Sequence, residues 1–281
     1  MNKNIIKKAL LPTVACGTLL ATASTYAQTT IADWTFENIT AGTTMVLNPA
    51  AAVNNSAGTP AAVSLGMDNT YGTPTSSMAI PDVIASTGSS TGAGNEWRVR
   101  GGPVATGKAN GWSSLAPIGT QGAEFDVSTV GFSNIQLTFD LETTSAAEAN
   151  LTVLYTTDGM TWNNATIISL DSGATIKNNT SSANTVMGSY ITMNANGFVD
   201  GITVDFGGIT AANNDASFGV RIVNASTGAD DLNGSGTAYN NSSGNWRYDN
   251  VAFSTPEPTI LALTGLGLAG LFGFRRKFAQ K

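Results

Sequence analysis

The chain has 281 residues, of which only 11% are charged, with a formal net charge of −6, no histidine and one cysteine. Without histidine there is no Ser-His-Asp triad, no Cys-His dyad and no histidine-ligated zinc. An acidic chain repels phosphate backbones, which argues against nucleic acid as a partner.

Lys3, Lys7 and Lys8 precede a largely apolar stretch from Ala9 to Ala23, and Thr25-Tyr26-Ala27 puts small residues at the usual cleavage positions. This predicts a secretory signal peptide over 1–27, carried by the Sec translocon and cut by signal peptidase between Ala27 and Gln28. Ala21-Thr22-Ala23 is an alternative cut. Cys16 lies inside the apolar region, but Thr13 stands where a lipoprotein signal favours leucine, so lipidation is the weaker reading. Cleavage after Ala27 removes the only thiol and excludes disulfides. It also changes the charge. From Gln28 through Pro258 six Lys+Arg face nineteen Asp+Glu, a formal charge of −13.

From Gln28 to Phe253 the chain is rich in Gly, Ser, Thr, Asn and Ala, the composition of short strands and many turns. The stretch from about 40 to 94 reads as a loop-rich insertion with short strands such as Ala61–Leu65. Beyond it, apolar residues alternate with polar ones at Ile135, Leu137, Phe139 and Leu141, at Leu151, Val153 and Tyr155, at Ile202, Val204 and Phe206, and at Phe218, Val220 and Ile222. Each set is a strand with one face on a core and one in water. Asp158-Gly159 predicts a hairpin after the second set, since both residues tolerate the positive φ of a tight turn. The expected fold is all-β, an antiparallel β-sandwich of jelly-roll type spanning 28–253.

Candidate sites in this body are few. Gly88-Ser89-Ser90-Thr91-Gly92 spells a nucleophile-elbow pattern but lies in a polar loop without the strand-to-helix setting that chemistry needs. Glu96, Glu124, Glu142 and Glu148 are acids a glycosidase could use, yet spacing pairs no two of them. The expectation is therefore a non-enzyme. Trp97, Trp112, Trp162 and Trp246 stand out in a leucine-poor body. Trp97 and Trp246 fit strand cores, whereas Trp112, between Asn110-Gly111 and Ser113-Ser114, is the candidate exposed ring for stacking on a sugar.

Ala32-Asp33-Trp34-Thr35-Phe36-Glu37 resembles the opening strand of secreted carbohydrate-binding or concanavalin-like sandwiches. Trp246-Arg247-Tyr248-Asp249-Asn250-Val251-Ala252-Phe253 resembles their closing strand. If first and last strands pair, as that architecture implies, Glu37 and Asp249 approach each other and are candidate ligands for a structural Ca²⁺.

Pro256-Glu257-Pro258, an uncharged apolar run over 259–274 and the cluster Arg275-Arg276-Lys277 close the chain. The two prolines enforce an extended peptide. The apolar run makes a single membrane helix of roughly 24 Å, short of the ~30 Å hydrocarbon core. The basic residues favour a cytoplasmic end. This tripartite tail, 254–281, resembles the PEP-CTERM sorting signal of exported bacterial proteins. The resemblance implies recognition by an exosortase and cleavage near Pro256-Glu257-Pro258. It implies an inner-membrane-tethered precursor that moves on to the outer surface or extracellular matrix. The role it implies is structural or adhesive and linked to exopolysaccharide or biofilm, with a carbohydrate-binding module as the alternative.

Overall fold

A computed structural model describes residues 28–41, 46–67, 82–85, 94–100, 111–239 and 244–256. The strands in chain order are β1 (Gln28–Trp34), β2 (Val53–Asn54), β3 (Ala61–Leu65), β4 (Asp82–Ala85), β5 (Asn95–Arg100), β6 (Gly122–Asp126), β7 (Gln136–Thr143) and β8 (Asn150–Thr156). They continue as β9 (Asn163–Asn164), β10 (Ile167–Ser169), β11 (Thr175–Asn179), β12 (Gly188–Thr192), β13 (Gly197–Asp205), β14 (Gly219–Asn224) and β15 (Asn245–Pro256). Two short 3₁₀ turns lie at Thr210–Ala212 and Gly228–Asp230.

The alternation seen in the sequence sets this arrangement. Leu137, Phe139 and Leu141 of β7, Leu151 and Val153 of β8, Ile202 and Val204 of β13 and Val220 and Ile222 of β14 are all buried. Their polar neighbours turn to the outer faces. In one sheet β1, β15, β7 and β13 are neighbours in that order, and in the other β6, β14, β8 and β12. Every ladder between these strands is antiparallel. The last strand therefore sits between the first and β7, and the runs β6 to β8 and β12 to β15 alternate between sheets. That is jelly-roll topology.

The 40–94 region supplies edge strands as well as loops: β2 extends β1, β3 covers β6, and β4 pairs with β5, which in turn pairs with the first half of β15. Covering edges in this way blocks strand addition by other chains. The hairpin after β8 forms, but β9 pairs Asn163 and Asn164 with Tyr155 and Leu154, so the connection is longer than a two-residue turn. Asp158 Oδ1 accepts the N–H groups of Thr161 and Met160 at 2.7 and 2.8 Å and organises that connection.

Aromatic rings fill the space between the sheets. Trp34 meets Phe125 with ring centroids 5.2 Å apart, Trp97 meets Tyr248 at 5.8 Å, and Phe206 meets Phe218 at 5.2 Å. The indole N–H groups are satisfied by backbone carbonyls, Trp34 by Pro49, Trp97 by Val46 and Trp246 by Glu148. Tyr248 of one sheet donates to the Ile222 carbonyl of the other at 3.2 Å, tying the layers together.

The closing-strand Asp-Asn pair has a structural reason. The β15–β7 register shifts between Asp249 and Ala252, and Asn250 has φ 49° there. A second shift on β13 falls between Val199 and Ile202, with Gly201 at φ 60°. Asp140 of β7 joins the two, accepting Gly201 N–H and Asn250 Nδ2–H at 2.8 Å each. Both are β-bulges stitched by one carboxylate.

Candidate functional site

The outer face of the second sheet carries a groove of about 300 Å³ beside the β8–β9 connection. Period two places Glu124 and Asp126 on the same outer face of β6. Register then brings Arg221 of β14 opposite Glu124 and Gly219 opposite Asp126. Arg221 Nε donates to Glu124 Oε2 at 2.6 Å, and its guanidinium lies 3.9 Å from the centre of the Trp162 ring. Trp162 comes from the β8–β9 connection and forms one side of the groove. Phe218 and Val127, almost fully buried, lie beneath it, and Thr59, Ser128 and Ser217 add hydroxyls.

Asp126 differs from its neighbour. Burial, then the charge of Glu124, push its carboxyl up to about 6, and Arg221 only partly offsets them. Gly219 is the floor beneath it. A Cβ built there stands 2.5 Å from Asp126 Oδ1 and 3.5 Å from Trp162 Cη2, so any side chain would close the groove.

Trp112, expected to be the exposed ring, is instead 1% exposed, with its ring 4.4 Å from that of Trp246. Its Gly and Ser neighbours suggested an open loop, but Gln121 pins that loop inward. Gln121 accepts the Ser113 N–H and donates to the Gly111 and Gly66 carbonyls at 2.8 Å each. Of the five tryptophans four are buried, and only Trp162 is half-buried. Its position just past the Asp158-Gly159 turn, outside any strand alternation, was the available signal. The guanidinium across the sheet was not readable, because it depends on register.

Glu37 and Asp249 do come within electrostatic reach of each other. Burial is the main cause that lifts Asp249 to about 7, with Asp140, Glu96 and Glu37 adding to it. Glu37 Oε1 is engaged by the Asn95 N–H at 2.7 Å. No three acidic side chains among the described residues gather in a metal-holding group.

The remaining acids are tied up. Glu142 pairs with Arg247 at 2.7 Å, and Glu96 faces the same guanidinium at 3.8 Å. Glu148 joins Asp231, from the acidic loop after β14, in a carboxyl pair only 2% and 1% exposed. Burial first, then the hydrogen bond to Asp231, push the Glu148 carboxyl far above the usual range, while burial holds Asp231 at about 6. Glu148 Oε1 also accepts the Asn150 N–H and the Ser226 hydroxyl.

At the sorting end, β15 runs through Ser254, Thr255 and Pro256, and Pro256 pairs with Gln28, the first residue of β1. Ala27, Glu257, Pro258, the 259–274 span and Arg275, Arg276 and Lys277 lie outside the described residues. Among those described, no helix is long and apolar enough to cross a membrane.

Comparison with known families decides the reading of that end. Residues 254–277 match the PEP-CTERM protein-sorting motif. The PEP-CTERM motif marks an exported chain whose precursor is anchored in the membrane and processed by an exosortase. Neither the curated proteins nor the solved structures give a match.

Proposed function

We propose that this exported chain serves a structural or adhesive role at the outer cell surface or in the extracellular matrix, linked to exopolysaccharide. The signal peptide over 1–27 starts its export through Sec, and exosortase cleavage at Pro256-Glu257-Pro258 releases it from the inner membrane. In this reading the chain is the substrate of that chemistry and performs none of its own. The observation that carries it is the continuity of the sorting motif with the last strand. The last strand runs to Pro256, inside the motif, and Pro256 pairs with Gln28, next to the expected signal cut. In this reading both cuts fall beside the paired ends of β1 and β15, so that processing frees the body without removing a core strand. The acidic, cysteine-free surface suits life outside the cell.

A second reading, a carbohydrate-binding module, is favoured by one observation, the groove that joins a half-buried tryptophan to two carboxyls and a rim of hydroxyls. Aromatic wall with a few placed polar groups is the usual make-up of a small-ligand site. The test of the main proposal is deletion of the coding sequence in the native host. Surface attachment and retained polysaccharide should fall and return on complementation; unchanged attachment and retention contradict it.

A further inference from the structure

The rows of residues across the outer face of the second sheet define the groove's chemistry. One row runs Val63, Glu124, Arg221, Leu154, and the next runs Ala61, Asp126, Gly219, Thr156. In the first row the only cation is committed to Glu124. In the second, Asp126 stands between alanine and glycine, so no neighbouring side chain shields its carboxyl from the groove. Among the described residues its hydrogen-bond partner is the other acid, Glu124. Two carboxyls therefore share one guanidinium, and when both are ionised one negative charge is left without a counter-charge. Arg221 covers one face of the Trp162 ring and fixes its position, while the Cη2 edge overhangs the open Gly219 floor.

A ligand that satisfies this arrangement carries a positive charge on a compact ring with an apolar face. A divalent cation alone is a poor fit, since it seeks six or more oxygens and only two acids are here. A neutral sugar answers the aromatic wall but not the charge. A lysine side chain answers the charge but is too slender for the flat wall of Trp162. We propose that the groove is a saccharide subsite selective for an amino sugar, seating the ring's C–H face against Trp162 and its ammonium on the Glu124–Asp126 carboxyl pair. This rests on the carbohydrate-binding reading above and names the class of sugar. At about 300 Å³ the groove is at the small end of ligand sites, sized for a single ring or chain end of a longer polymer. The strongly acidic body steers such a cationic polymer toward it.

The test is calorimetric titration of the full chain, in detergent micelles near pH 6 at low salt, with three probes. These are a β-1,4-linked glucosamine hexasaccharide, its fully N-acetylated counterpart and hexalysine. The glucosamine oligomer should bind, and the acetylated one should bind about tenfold more weakly or worse, as loss of a charge-assisted hydrogen bond implies. Asp126→Asn, which is isosteric, and Trp162→Ala should each weaken glucosamine binding by about tenfold. Should Trp162→Ala fail to fold, Gly219→Ala offers an independent block of the floor. Equal binding of both saccharides overturns the amine selectivity and leaves the carbohydrate-binding reading standing. No binding of either at millimolar concentration overturns both. Binding that survives Asp126→Asn, or hexalysine binding that equals glucosamine and survives Trp162→Ala, also overturns the assignment.

Discussion

Single residues carry the two least obvious features of this molecule. Trp112 is a core ring packed on Trp246, so Trp112→Ala should cost about 3–5 kcal/mol in denaturant unfolding, as large-to-small changes of buried aromatics do. A sugar-stacking ring on the surface would cost almost nothing. Asp140 holds two bulges at once, and Asp140→Ala should destabilise by about 2–4 kcal/mol through the loss of two charge-assisted hydrogen bonds. The Glu148–Asp231 pair makes a different prediction. Burial raises both carboxyls, so the folded protein holds protons that the unfolded chain has released once the pH passes its ordinary carboxylate range. Stability from this pair is greatest in acid and declines as the pH rises. Glu148→Gln keeps an acceptor for Asn150 and supplies a donor for Asp231. It should flatten that decline while leaving stability in acid little changed, read from unfolding curves at several pH values.

At the scale of elements, the pairing of β1 with β15 closes the sandwich and sets Gln28 opposite Pro256. Thr29 and Thr255 are register partners, at a spacing a disulfide can bridge. A Thr29→Cys/Thr255→Cys double variant should oxidise to an intrachain disulfide, detected by mass and by mobility under non-reducing conditions. Failure to oxidise would contradict the register. Much of this level was legible from pattern alone. The alternating sets in β7, β8, β13 and β14 named their own buried faces, because period two is a local property of a strand with one wet side. Pairing of the first and last strands followed only from a likeness to secreted sandwiches. The edge strands β2 and β4 were not visible, since at two and four residues they are too short to show an alternation and gain strand structure from the neighbour they cover. The groove was least legible. Glu124, Asp126, Arg221 and Trp162 come from three separate segments, and register, which sequence spacing does not encode, makes them one site. Trp112 was misplaced for a related reason, because the Gln121 bonds that fold its loop inward are tertiary.

At the scale of the whole molecule, the shared direction of five carboxyl shifts matters more than any one of them. The exposed Asp158, held low by its hydrogen bonds to the Thr161 and Met160 N–H groups, loses its contribution only below the ordinary carboxylate range. Burial raises Asp33, Asp126, Glu148, Asp231 and Asp249, the last to about 7. Each of these groups binds its proton more tightly folded than unfolded, so stability is fully present below the ordinary carboxylate values and is lost as the pH rises through the folded ones. The body should therefore melt at a higher temperature near pH 5 than near pH 7.5, with the loss concentrated between about 5 and 7. A melting temperature that rises across that interval would contradict the assignment. The central claim, however, concerns the fate of the chain. The sorting motif overlaps the last three residues of the last strand, and its apolar run is short and glycine-rich, as the proposed release from the membrane requires. The direct measurement is the mass of the C-terminal peptide of the surface-localised protein from its native host. The account predicts a chain ending at or beside Pro256-Glu257-Pro258, without Arg275, Arg276 and Lys277. An intact C-terminus on the surface form would contradict it.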